Sequence, residues 1–189
     1  LGNAYRDHLE APGRALDCYD RILRIDPYHE GAGEGLQGLL NVDGCAAKAV
    51  DILATTYRST ENWQGILSLA DARLEQTDDN SKKLGILREA ARIHEQNAGD
   101  NASALAALAK AFPMAPRDQV LERDMVRLAA SAEKWDVAVA SYREALAAVE
   151  GDDNATGELN ARLAAILDER VGDAAEALSC FQVVVALEP

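Results

Sequence analysis

Apolar positions along the chain recur in steps of three and four with polar residues between them, the spacing that lines one face of a helix. Four segments show it most clearly: Ala15-Tyr19-Ile22, Ala104-Leu108-Ala111, Ala138-Tyr142-Ala145 and Ala177-Phe181-Val184. Each opens on Ala, has a large apolar or aromatic residue four positions on, and a small or branched residue three further. Helix starts and stops read around these stripes predict eleven helices, near 1–9, 13–25, 29–41, 46–59, 63–76, 81–97, 101–112, 117–132, 135–149, 156–170 and 174–187. The expected fold class is all-α.

The stripes repeat. Ala104 to Ala138 is 34 residues and Ala138 to Ala177 is 39; a degenerate copy at Ile66-Ala70 lies 38 before Ala104. Trp63 stands three before Ile66 and Trp135 three before Ala138, so Glu61-Asn62-Trp63 and Glu133-Lys134-Trp135 are equivalent. Pro27, Pro116 and Pro189 each follow a lead Ala by twelve residues, where proline stops a helix and turns the chain; Glu150 takes that place in the fourth copy. A period near 34 residues, two helices long, is the signature of a helical array.

Leu1-Gly2-x-x-Tyr5, the Ala-x3-aromatic step and the closing proline resemble the tetratricopeptide repeat (TPR). The resemblance covers nearly all of residues 1–189, read as one helical-repeat domain. It implies a right-handed superhelical solenoid of antiparallel helix pairs, with first helices lining a concave groove that holds partner peptides. Gly99-Asp100-Asn101 and Gly172-Asp173 make turns one residue longer than in the standard repeat, similar to the stretched repeats of long bacterial TPR arrays. In repeat terms Leu1 lies about a third of the way into a first helix with no cap before it, the expectation for a fragment of a longer chain.

One interval breaks the rhythm. Ala15 to Ile66 is 51 residues, 17 more than one period. The surplus is one helix, and 29–41 is the expected intruder, with a candidate hinge or phase break across 28–62. It carries Gly31, Gly33, Gly35 and Gly38, and each interior glycine costs a helix roughly 0.8–1 kcal/mol against Ala. The bland alternative is that packing demands the glycines.

Composition narrows the chemistry. Lys and Arg total 19 against 32 Asp and Glu, a net charge of −13, which opposes a phosphate-binding surface. No apolar stretch approaches the roughly 20 residues of a membrane span. Gly33-Glu34-Gly35-Leu36-Gln37-Gly38 matches GxGxxG, but it follows a helix rather than a strand, so no dinucleotide site or other cofactor is expected. His8, His29 and His94 have no metal-ligand spacing, and His94, at the place of Tyr5 in the first repeat, reads as a helix–helix packing residue. Cys18, Cys45 and Cys180 are widely spaced free thiols, which fits a reducing compartment such as the cytoplasm. Asn101-Ala-Ser103 and Asn154-Ala-Thr156 are formal glycosylation sequons at helix starts, where a capping role fits better.

The sharpest candidate is a set of four arginines. Arg88 and Arg92 are four apart, as are Arg123 and Arg127, and the pairs are offset by 35, one repeat. They should form a compact patch on two adjacent first helices, suited to carboxylates of an acidic segment or a free C-terminus. The competing reading is a solvated face, or pairing with Glu89, Glu95, Glu122 or Asp124. The carboxylate clamp of some TPR proteins also uses Lys and Asn, and Asn3 alone is comparable, so that activity is not carried over.

The function expected is a non-catalytic protein–protein interaction scaffold. The alternative is a regulatory or scaffold segment of a larger multidomain enzyme or signalling protein whose catalytic domain lies elsewhere. RNA binding is a third class, opposed by the charge and by the lack of aromatic–basic interleaving.

Overall fold

A computed structural model describes Gly2 and residues 11–187. Among the described residues the chain is all-helical, with no strand and eleven α-helices. Packing divides it into two compact units, residues 1–79 and 80–189. Of the helix predicted at 1–9 only Gly2 is described; Tyr5 and His8, like the terminal Pro189, lie outside the described residues.

The first unit contains α1 (Pro12–Ile25), α2 (Glu30–Gln37), α3 (Ala46–Ser59), α4 (Trp63–Ser68) and α5 (Ala70–Glu75). The intruding helix exists, shorter than expected, and α1, α2 and α3 pack on one another. Beyond Gln37 the chain tightens into i→i+3 turns, with Leu39 bonding Leu36 and Leu40 bonding Gln37, and Leu39 reaches the core. Its partners there are Ala15, Leu16, Tyr19, Leu23, Leu36 and Leu53. A Cβ on Gly35 would stand 2.3 Å from Cζ of buried Tyr19, and one on Gly2 2.4 Å from its Cε1. Gly35 is therefore a close-approach residue, while a Cβ on Gly33 would meet nothing within 4 Å. The helix expected over 63–76 breaks at Leu69 into α4 and α5, so the count of eleven arises differently than expected.

The second unit is three consecutive helix pairs. They are α6 (Asn80–Ile93) with α7 (Asn101–Ala111), α8 (Gln119–Ala132) with α9 (Trp135–Ala148), and α10 (Asp153–Ile166) with α11 (Ala174–Leu187). Each helix packs on the next, and α7 also packs on α9. The lead alanines Ala104, Ala138 and Ala177 are all buried, because only a small side chain lets helices approach closely there. The edge of Tyr142 meets Phe112, their ring centroids 5.0 Å apart at 64°.

Local chemistry explains the boundaries. Asp100, Asp118 and Asp152 accept backbone N–H bonds from Ser103, from Val120 and Leu121, and from Ala155, satisfying free amides at helix starts. The capping expected of Asn101 and Asn154 thus falls to aspartates just upstream; Asn101 instead bonds Ser131 Oγ. The long turns are absorbed inside the helices, where α6 and α10 end in π-helical turns, His94–Ala98 and Leu167–Val171. Left-handed Gly99 (φ 66°) and Gly172 (φ 80°) close them. Glu61 (φ 52°) and Glu133 (φ 54°), two residues before Trp63 and Trp135, share the same left-handed backbone, so the sequence equivalence is matched in conformation.

Candidate partner-binding surface

The arginine-bearing face is built on α6 and α8. Arg88 pairs with Asp118, the residue that caps α8. Arg127 donates through Nη1 and Nη2 to both oxygens of Glu95, at 2.6 and 3.1 Å, in the two-pronged geometry guanidinium favours. Residue 88 is level with 118 and residue 95 with 127, so the two helices run side by side in the same direction. That register sets Arg92 level with the turn containing Arg123.

The four arginines therefore fall into two kinds. Arg88 and Arg127 hold neighbouring helices together, as in the pairing alternative weighed for them. Arg92 reaches Gln96 Oε1 at 3.4 Å and makes no ion pair among the described residues. Arg123 is 72% exposed and 3.9 Å from a carboxylate oxygen of the adjacent Asp124, too far for a hydrogen bond.

Their acidic partners are tuned accordingly. Asp118 is held below the usual aspartate range, first by the Leu121 N–H and then by the Arg88 guanidinium. Glu95 is lowered by its bond to Arg127. Both stay ionised at neutral pH, so Arg88 and Arg127 stay paired, while Arg92 has only Gln96 and Arg123 only the 3.9 Å contact to Asp124.

Ion pairs also tie later helices of the same class. Arg117 pairs with Asp152, Arg143 grips Glu176 through Nε and Nη2, and Arg162 Nη1 donates to Glu122 Oε2 at 2.5 Å. Glu122 is buried, and its other oxygen takes the Tyr142 hydroxyl at 2.5 Å. Glu122 is one of the carboxylates weighed as partners for the arginine quartet; it pairs instead with Arg162, at the junction of α8, α9 and α10. The available signal was its position beside Leu121 on the stripe continued by Met125 and Leu128.

Other candidates resolve simply. His29 Nδ1 accepts the Ala32 N–H and caps α2. Cys18 is half-buried, Cys45 and Cys180 are buried, and all three are free thiols. No three His, Cys, Asp or Glu side chains converge to hold a metal ion among the described residues. No helix there is long and apolar enough to cross a membrane. The first unit has open hollows of about 590 and 610 Å³ beside Pro27. No protein-family model matches the chain, and no curated protein matches it.

Proposed function

We propose that this chain is a TPR-like, non-catalytic interaction scaffold, and that the α6–α8 face of its second unit binds an acidic segment or free C-terminus of a partner protein. The observation that carries the reading is the division of labour among the arginines. Two are spent on neighbouring helices, and two at one level of adjacent helices have no carboxylate within hydrogen-bond reach among the described residues. On a chain of −13, two guanidiniums without a hydrogen-bonded carboxylate suit a ligand that brings its own. Three helix pairs, each packed on the next, support a solenoid arrangement in which first helices form one continuous face.

The test is fluorescence anisotropy with a labelled peptide of alternating Glu and Gly ending in a free carboxylate. Binding that weakens with salt, and falls at least tenfold in Arg92→Glu/Arg123→Glu, is the expected result. Equal affinity of the double variant and the native chain overturns the reading.

A further inference from the structure

Gly33 is a glycine that the packing of α2 does not require. Gly35 is held to glycine by the Tyr19 ring, whereas a Cβ on Gly33 would meet nothing within 4 Å. Its backbone is helical, so no turn requires it either. A glycine inside a helix weakens that helix. A remaining reason for one is the close approach of another molecule to its backbone. Gly33 lines the larger of the two hollows beside Pro27, of about 610 Å³. The core residues Leu23 and Leu53 line it too. Beside it Gln37 Nε2 donates to the Tyr57 hydroxyl at 2.8 Å, which ties α2 to α3. Tyr28, also on its lining, is 73% exposed.

The charge of this hollow is one-sided. Glu30 and Glu34 line it and no Lys or Arg does. Neither carboxylate makes an ion pair among the described residues. Glu30 suits the start of α2, where the helix dipole favours an anion. Glu34 stands four residues on, in the last turn, where the dipole and its like-charged neighbour both disfavour it. Two local costs, Gly33 and Glu34, therefore coincide on one lining, and a cation with an aliphatic stem answers both.

We propose that this hollow seats a Lys or Arg side chain of a basic partner segment. The stem lies against Leu23, Leu53 and the bare backbone at Gly33, and the charge sits among Glu30, Glu34 and the Tyr28 ring. The adjoining hollow of about 590 Å³ favours a segment over a free amine, because it shares Leu23, Pro27 and Thr56 with the first and gives flanking residues a surface to follow. Its own cations are engaged, Arg24 by Asp20 and Lys48 by Asp17, so they do not repel a basic segment. The site lies wholly in the first unit and does not depend on the arginines of α6 and α8.

Nitrogen-15 NMR titration of the whole chain with an amidated peptide of alternating Arg and Gly, at physiological salt, tests this. The expected result is amide shifts centred on Gly33, Glu34, Thr56 and Tyr57. The dissociation constant should rise at least fivefold in Gly33→Leu, which fills the hollow and leaves the net charge at −13. It should rise as much in Glu30→Gln/Glu34→Gln. Glu144→Gln/Glu150→Gln, the same change of charge at exposed sites in the second unit, should leave it within twofold of native. Native affinity in Gly33→Leu shows that net charge alone attracts the peptide and overturns the proposal. Equal losses in the two carboxylate pairs overturn it as well, as does binding of acetyl-arginine amide as tight as that of the peptide. If Gly33→Leu loses helical circular dichroism, the comparison of the two carboxylate pairs decides.

Discussion

The Tyr142 hydroxyl donates to one oxygen of buried Glu122 while Arg162 donates to the other, both at 2.5 Å. This carboxylate joins three consecutive helices of the second unit. A buried charge is tolerated only when its lone pairs are answered, and here one neutral and one cationic donor answer it.

Tyr142→Phe should lower stability by about 1.5–3 kcal/mol, the range for a hydrogen bond to a charged group. Glu122→Ala should cost about 3 kcal/mol or more, since it also strands the Tyr142 hydroxyl and the Arg162 guanidinium. Urea unfolding of the two variants measures both. The pH dependence separates them further. Burial first, and then the Glu122 carboxylate, raise the Tyr142 pKa above its ordinary 10.0. Above pH 10 the unfolded chain loses this proton while the fold keeps it, so native stability falls as pH rises. Tyr142→Phe lacks that loss, and its deficit should shrink above pH 10 by up to about 1.4 kcal/mol per pH unit. A deficit constant from pH 8 to 11 contradicts the assignment.

The glycines of α2 should respond in opposite directions. Gly33→Ala adds a methyl into open space and should stabilise by up to about 0.8–1 kcal/mol through helix propensity. Gly35→Ala drives a Cβ against the Tyr19 ring, and the ring is itself enclosed in the core, so a loss of about 1–3 kcal/mol is expected. Thermal unfolding of the two variants decides it. If both stabilise, the glycine cluster exists for flexibility and not for close packing.

These two sites also mark what the sequence could and could not reveal. Helix type and approximate limits were legible because the Ala-x3-aromatic steps and the Trp positions repeat, and periodicity reports which face is buried. The identity of the caps slipped by one or two residues, because Asp100 and Asn101, like Asp152 and Asn154, are chemically interchangeable in a pattern and differ in backbone position. The helices expected over 81–97 and 156–170 do cover most of the π turns, but their wider winding was not legible, since one added residue fits either inside the last helical turn or after it. The arginine quartet was legible as a repeat on two helices. Its division into bound and unbound pairs was not, because pairing depends on the register between helices 30 residues apart in sequence.

The left-handed glutamates offer an independent check on repeat equivalence. Glu61 and Glu133 adopt positive φ at matched places just after helix ends, where a side chain costs roughly 1 kcal/mol and glycine costs nothing. Glu133→Gly and Glu61→Gly should each raise stability by a few tenths to about 1 kcal/mol. The same substitution at Glu144, within α9, should lower it by a comparable amount. Chemical unfolding of the three variants gives the comparison, and destabilisation by Glu133→Gly sinks the conformational assignment.

The arginines should separate by role when stability is read without any partner. Arg88→Ala and Arg127→Ala each break a pair between helices, and each should cost about 0.2–1 kcal/mol, since these pairs are partly exposed. Arg92→Ala and Arg123→Ala break no ion pair of hydrogen-bonding length and should leave stability within about 0.5 kcal/mol of native. The Arg127 pair has a signature in acid. Glu95 titrates below its ordinary 4.5 because Arg127 holds the ionised form. Its contribution is therefore present above pH 4.5 and is lost as pH falls through the lowered value. Carbon-13 NMR of the Glu95 carboxyl should show a depressed midpoint in the native chain and one near 4.5 in Arg127→Ala. An unshifted Glu95 in the native chain means the α6–α8 pair does not persist in solution, and the register that sets Arg92 level with Arg123 loses one of its two anchors.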